Sequence, residues 1–371
     1  MRSALVLTTI NIPELLFDYA NNFEKYGHKE EVDFIVIPDL KTPSAASEVI
    51  KKISKRGFRG IYFDIEKQKK WLKNFPDLDK IIPYNSDNRR NIGYLLAKER
   101  GVEIIISIDD DNYPQKDKDY LSGHKIVGSK KRLKSVSSSN NWYNICRHLE
   151  IKPKRTIYPR GFPYYKRWKD TAEFTNSEGR VVINAGLWLQ DPDVDAVTNL
   201  NEPVKAVNVN EKQYLLSPNT FSPINSQNTA FHISILPCCW YVKMGEIIQG
   251  QKIDRYGDIW AGFFAQKVIK HIGDRISFGP PVTIHHRNQH NILKDLQQEL
   301  GGMTLTEKLV PILDSIKLSK NGYSKAYLEL SEKISEAMKK NNDFSKEEKK
   351  YFQKIVEEMK IWVEACNSIK S

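Results

Sequence analysis

Short apolar runs alternate with amphipathic segments through residues 1–112, and that alternation limits the fold more than any other feature of the chain. "ALVLTTI" (4–10) is apolar and rich in β-branched residues, and reads as a buried strand. Residues 12–26 carry helical spacing behind Pro13, a good first-turn residue. "VDFIVIPD" (32–39) reads as a second strand, "ASEVIKKI" (46–53) as a short helix and "GIYFD" (60–64) as a third strand. "NRRNIGYLLAKERG" (88–101) is an amphipathic helix stopped by Gly101, and "VEIIISIDDDN" (102–112) is a fourth strand. This spacing predicts an α/β fold on a mostly parallel sheet with helices on both faces.

The pattern is irregular over residues 122–179, which hold "SVSSSNNWYN" and several prolines. A stretch of that length in a compact protein points to function. "RVVINAGLWLQ" (180–190) resumes a strand, "DIWAGFFAQKVIKHIG" (258–273) is a helix, and "PPVTIHHRNQHN" (280–291) is a strand leading into a loop. Three helical patterns without strand signals follow residue 300. The last puts Phe352, Ile355, Val356, Met359, Val363 and Cys366 on one face. The expected division is an α/β domain over 1–300 and a helical extension over 301–371 packed on it.

Charge narrows the partners. Lys and Arg number 57 against 46 acidic residues, a net of +11. Between His124 and Arg180 there are fourteen basic and four acidic residues, a net of +10. A uniformly basic coat would suit nucleic acid. A local cluster suits a small anion such as a diphosphate, or is a solvated basic loop. A nucleic-acid binder would account for the charge but not for the three adjacent aspartates, so no nucleic-acid partner is expected. No apolar run approaches the roughly 18 residues that span a bilayer. "MRSALVLTTINIP" has no small-residue cleavage site and reads as a strand, not a signal peptide. Cys146, Cys238, Cys239 and Cys366 lack CxxC spacing, which excludes a disulfide scaffold or zinc knuckle and fits a cytoplasmic protein. Cys238 and Cys239 read as packing residues.

Asp109, Asp110 and Asp111 follow directly on an apolar strand. Ligands in open α/β sheets bind just outside the strand carboxyl ends. Three crowded carboxylates there repel one another, and a divalent cation relieves that repulsion. On an extended chain Asp109 and Asp111 share one side, so they can share Mn²⁺ or Mg²⁺ while Asp110 points elsewhere. A solvated acidic turn is the competing reading.

A strand running into such a triplet resembles a GT-A nucleotide-sugar enzyme. The resemblance then becomes specific. "SDNRRNIGYLLAKERGVEIIISIDDDN" (86–112), "RGFPYYKR" (160–167), "GLWLQDPDVDAVTNL" (186–200), "IDRYGDIWAGFFAQKVIKHIG" (253–273) and "PVTIHHRN" (281–288) are similar in order and spacing to the reversibly glycosylated polypeptide family, which includes the UDP-arabinopyranose mutases. The tail segments "YLELSEKI" (327–334) and "YFQKIVEEMKIWVEAC" (351–366) resemble that family's helical end.

The resemblance implies a GT-A (Rossmann-like) fold with a C-terminal helical extension, and a metal-dependent enzyme acting on a UDP-sugar. Asp109, Asp111 and His285 would hold the metal, with His286 as an alternative ligand. Thr8, Thr9, Asp39, Arg90 and Asp110 would bind the nucleotide. Arg160 matches the arginine that the family glycosylates on itself, and Arg167 the second arginine of that motif. Both guanidinium forks suit phosphate oxygens, or are surface arginines. Asp258 matches the second of two adjacent family acids and is a candidate base or helix-start charge. Gly257 replaces the first of those acids, while Asp254 lies three residues earlier. Asn184, Trp188 and Asp254 are candidate sugar-pocket residues, although Trp188 reads first as a buried core residue.

Two outcomes share the first half-reaction. One is a mutase that interconverts sugar ring sizes, with Arg160 as a transient carrier. The other is a glycosyltransferase with a separate glycan or protein acceptor. A non-catalytic subunit of a homo- or hetero-oligomer is the reading from another class, and the intact triplet, Arg160 and His285 count against it.

Overall fold

The computed structural model describes residues 1–168, 171–287 and 291–369. The expected loop through Asn288, Gln289 and His290 lies outside these residues. The amino-terminal half forms as the sequence pattern demands. Strands β1 (Ser3–Thr9), β2 (Val32–Pro38), β3 (Arg59–Tyr62) and β4 (Ile104–Ile108) are parallel, in the order β3-β2-β1-β4. Helices α1 (Leu15–Lys25), α2 (Ala46–Lys55) and α3 (Arg90–Glu99) connect them. The period-2 alternation of the strands sorts their side chains into two cores. Leu5, Leu7, Phe34 and Val36 pack with Leu16, Phe23 and Ile53 on one face. Val6, Ile35 and Ile37 pack with Ile92 and Leu95 of α3 on the other. Gly93 lets α3 lie close to the sheet: a Cβ there would sit 2.5 Å from Val6 Cγ1.

Register aligns the strand ends. Thr9 lies opposite Pro38, and Leu7 opposite Ile108. The carboxyl ends of β1, β2 and β4 therefore share one edge. The direction changes after β4. Strand Asn228–His232 runs antiparallel to β4 and joins it to a mixed half-sheet.

The irregular stretch expected over 122–179 needs correction. Lys130–Ser138 is a strand paired antiparallel with the first half of the long strand Ala172–Gln190, from Lys130 opposite Arg180 to Ser138 opposite Ala172. Residues 130–132 are exposed, so backbone pairing holds a strand whose composition gives no apolar signal. The second half of Ala172–Gln190 pairs in parallel with Arg275–His285, which carries His285 to the same edge as the aspartates.

Three helices, Ile292–Ser315, Tyr323–Lys340 and Lys346–Ser368, end the described chain. The first begins ahead of the expected 300/301 border, which falls inside it. The final helix opens with a Ser345/Glu348 capping box. These helices share the core of the sheet: the Trp240 and Trp362 rings lie 5.7 Å apart, and those of Trp260 and Phe352 5.6 Å. Lys98 of α3 donates to the carbonyl of Cys366 near the end of the last helix. The architecture is a mixed α/β sheet with a helical carboxyl-terminal region. No helix among the described residues is long and apolar enough to cross a membrane.

Candidate active site

Thr8 and Thr9 end β1, Asp39 follows β2, and Asp109, Asp110 and Asp111 follow β4. With Asn85, Ser86, Asp87, Arg89, Arg90 and Tyr241 they line a cavity of about 320 Å³. All five candidate nucleotide-binding residues line it. A second cavity of about 250 Å³ adjoins it and shares Asp87, Asp109, Asp111 and Tyr241. Its other walls include Arg160, Asp193, Gln227, Arg255, Asp258, His285 and Arg287.

The triplet does not remain extended. The chain leaves the strand at Ile108 and turns, so each carboxylate points elsewhere. Asp109 pairs with the Arg90 guanidinium. Asp110 accepts from Thr9 Oγ1 and from Asn11 Nδ2 (3.0 Å). Asp111 faces His285, with Oδ2 3.3 Å from Nε2. The shared side expected of Asp109 and Asp111 is thus replaced by a turn that leaves both lining the second cavity. Arg90 is buried at the start of α3. It also donates to Ser107 Oγ (2.7 Å), the Ser226 carbonyl (2.9 Å) and Thr8 Oγ1 (3.2 Å). Asp39 accepts from the Leu40 and Ser86 amides at 2.7 and 3.1 Å, so backbone donors already fix its carboxylate.

The charges are crowded. Burial pushes the Asp109 carboxyl up to about 6, Arg90 pulls it back, and Asp111 and Asp258 push it further. Burial likewise raises Asp87. Burial works against charge on His285, but the Asp111 carboxylate and the Asp191 carbonyl outweigh it and raise its value.

Among the described residues, no three acidic, histidine or cysteine side chains already converge as a metal cage. The donor chemistry nevertheless fits a divalent cation. His285 Nδ1 is bound to the Asp191 carbonyl, which directs Nε2 to the Asp111 carboxylate. Two acceptors facing each other need a proton or a cation between them. A ring nitrogen held by a carbonyl is how metal-ligating histidines are oriented. His286 is exposed, with its ring against Tyr113, and does not take this role.

Several candidate residues lie elsewhere. Arg167 is 5% exposed. It is bound to Asp195 (2.6 Å) and stacked on the Tyr164 ring (3.8 Å), so its fork is spent on the interior. Asn184 is fully buried between Ser277 Oγ (2.7 Å) and His124 (3.2 Å). Trp188 is a core residue. Asp254 pairs with Lys252 (2.5 Å). None of these four lines either cavity. Among the described residues of the basic cluster over 124–180, only Arg160 does, because much of the rest decorates the exposed hairpin. Gly257 is packed so that a Cβ would meet the Val242 carbonyl at 2.4 Å, which leaves no room for an acid there. The four cysteines are free; burial raises the Cys146, Cys238, Cys239 and Cys366 thiols, as packing residues require.

The cavities also contain residues that sequence reasoning missed, chiefly Asp193, Gln227, Tyr241 and Asp87. A signal existed for Asp193: "DPDVD" places acids at 191, 193 and 195 directly after a strand, the same position that drew attention to the triplet.

The family model described as reversibly glycosylated polypeptide matches residues 56–371. A probable UDP-arabinopyranose mutase 4 of Arabidopsis thaliana is 30% identical over 318 residues, covering 80% of this chain and 78% of that protein. UDP-arabinopyranose mutase 1 of the same plant is 27% identical, covering 80% and 79%. Among solved structures, a mannosyltransferase of Pyrobaculum calidifontis in complex with GDP-Man and Mn²⁺ aligns with a TM-score of 0.41 at 10% identity, covering 99% of this chain and 86% of that one.

Proposed function

The chain belongs to the reversibly glycosylated polypeptide family, and from that premise we propose that it is a metal-dependent UDP-sugar enzyme of the UDP-arabinopyranose mutase type, interconverting pyranose and furanose forms. One observation carries this reading: two cavities meet at Asp109 and Asp111, on the strand edge where a diphosphate would bridge base and sugar.

In this reading the first cavity takes the uridine. Thr8 and Asp39 border it, and Asp39, fixed by two backbone amides, presents a rigid acceptor edge. Asp109, Asp111 and His285 would hold Mn²⁺ or Mg²⁺. When bound, such an ion neutralises charge that builds on a departing diphosphate. Arg90 balances Asp109 from behind, so the triplet is not left with its full repulsion. The second cavity takes the sugar. Asp193, Asp258, Gln227 and Asp87 offer acceptors and donors for hydroxyl groups, and Arg160 is ion-paired with both Asp193 and Asp258.

The test is to incubate the protein with UDP-arabinopyranose and Mn²⁺ and to separate the nucleotide sugars. The furanose isomer appearing with turnover, and lost with Asp111→Ala, is the expected result. UDP accumulating only when an acceptor glycan or protein is added would instead establish a glycosyltransferase. No change in any UDP-sugar offered would sink the reading.

A further inference from the structure

Building on the UDP-sugar reading, we propose that Arg255 and Arg287 form an anion clamp for the sugar-side (β) phosphate of the nucleotide, and that Asp295 and Glu299 of helix Ile292–Ser315 are the residues positioning them. Both arginines line the second cavity and neither lines the first. Asp109 and Asp111 line both cavities. A diphosphate lying across that junction turns its α-phosphate toward the base cavity. Its β-phosphate faces the sugar cavity, where the two guanidiniums lie.

Three elements bring the pair together. Arg255 precedes helix Gly257–Ile272, and Arg287 follows strand Arg275–His285, two residues beyond His285. Asp295 and Glu299 stand four residues apart on helix Ile292–Ser315, so they share one face of it. Arg255 Nε donates to Glu299 Oε1 at 3.1 Å, and its Nη1 lies 3.5 Å from Asp295 Oδ1. Arg287 Nη2 donates to the other oxygen of Asp295 at 2.8 Å. One carboxylate therefore bridges two guanidiniums whose like charges would otherwise hold them apart. The bridge is rigid. Both acids are buried, and Glu299 Oε2 accepts from the Ala196 amide at 2.8 Å.

Two buried acids need counter-charges, but that need alone does not account for the arrangement. The Arg255 and Arg287 side chains stay 28% and 19% exposed and border the cavity. Arg255 Nη2 and Arg287 Nε and Nη1 have no protein acceptor among the described residues. Arg255 also holds φ +62°, a left-handed backbone that a non-glycine residue adopts at a cost. Its amide is fixed on Asp254 Oδ1 at 2.9 Å. Beside Arg287, the His286 amide donates to the Asp111 carbonyl at 3.0 Å, and the Arg287 amide reaches Asp191 Oδ2 at 3.3 Å. Strained backbone, bracing acids and open donors thus converge on one cavity. Planar forks with unused N–H groups take phosphate oxygens in bidentate fashion. Donors fixed in advance favour a fully charged diphosphate without reorganising.

The experiment titrates the full chain with UDP and with UMP in the presence of Mn²⁺, by calorimetry. The parent should bind UDP at least about tenfold more tightly than UMP. Arg287→Gln should weaken UDP about tenfold and leave UMP within about twofold. Arg255→Gln combined with Glu299→Gln, which removes the buried acid together with its cation, should give the same split. Asp295→Asn should weaken UDP about fivefold with UMP again unchanged, a difference between ligands that a merely structural residue does not produce. Should a glutamine variant fail to fold, Arg287→Lys keeps the charge, loses the fork and should still weaken UDP about threefold. UDP affinity unchanged in the arginine variants would overturn the inference, as would UMP affinity falling in step with UDP. A loss confined to a UDP-uronic acid would overturn it too, by placing a sugar carboxylate on the pair. A parent that binds UDP no more tightly than UMP would remove the clamp and leave the UDP-sugar reading standing; a parent that binds neither would remove both.

Discussion

Gly93→Ala sets two physical effects against each other at the helix that carries Arg90. Alanine is the better helix former by up to about 1 kcal/mol, so propensity alone predicts a gain in stability. Packing predicts the opposite. The new Cβ would lie 2.5 Å from Val6 Cγ1 and 3.1 Å from Ile37 Cγ1, against an ordinary carbon contact of about 3.5–4.0 Å. Val6 is fully buried in the middle of β1 and β-branched, so it has little rotamer freedom with which to yield. Overpacking of this kind costs about 1–3 kcal/mol. The net is a loss of about 1 kcal/mol and at most about 2, or about 1–4 °C in Tm for a chain of this size. Helix α3 must also lift by up to about 1 Å, and Arg90 lies one turn earlier on it. That shift stretches the 2.7 Å bond to Ser107 and displaces the partner of Asp109, so UDP affinity should fall about tenfold. Thermal melting and UDP titration of the purified variant check both numbers. Adding Val6→Ala should recover part of the loss, with a coupling of about 1 kcal/mol. A Gly93→Ala protein that melts at or above its parent and binds UDP equally well would refute the reasoning.

Other outcomes follow from the same geometry. Arg167→Ala should destabilise by about 3–5 kcal/mol, because it leaves Asp195 buried without its cation; kcat/KM of the folded fraction should stay within about twofold, and a large selective loss would return Arg167 to the catalytic machinery. Burial pushes Glu358 from 4.5 up to about 7, with Lys243 pulling it back. The fold therefore favours its neutral form, and the stability it contributes is complete below about pH 4.5 and lost as pH rises through 7. Glu358→Gln should accordingly match the parent at acid pH and exceed it by about 1–3 kcal/mol at pH 8 in urea unfolding, and an equal difference at both pH values would count against this. Chelation with EDTA should abolish turnover and added Mn²⁺ restore it, and His285→Ala should weaken Mn²⁺ binding at least about tenfold in a direct titration; activity untouched by EDTA would exclude the metal.

What could be read from the chain depended on how much signal each residue type carries. Strands β1, β2 and β4 are buried on both faces, so their apolar runs announce them, and Asp109 to Asp111 stand out against such a run. Thr8, Thr9, Asp39 and Arg90 came from the family resemblance, and the structure sets all four around one cavity. The strand Lys130–Ser138 was illegible, since basic and serine residues pair through the backbone without an apolar pattern. Arg160 and Arg167 looked equivalent, seven residues apart in one motif. Their different fates depend on Asp193 and Asp195, which point into different surroundings, and no spacing rule in either segment reveals which acid faces which arginine. Trp188 and Asn184 were drawn toward the site by their motif, but residues 181–188 of their strand are buried on both faces, which sets them in the interior.

The bond between Lys98 and the carbonyl of Cys366 ties the last helix to α3, and the tail consequently acts as a brace for the guanidinium of Arg90. Trimming the chain before that helix would strip the rear support from the element that balances Asp109. The damage would surface as slackened nucleotide grip at the opposite end of α3, well away from the cut.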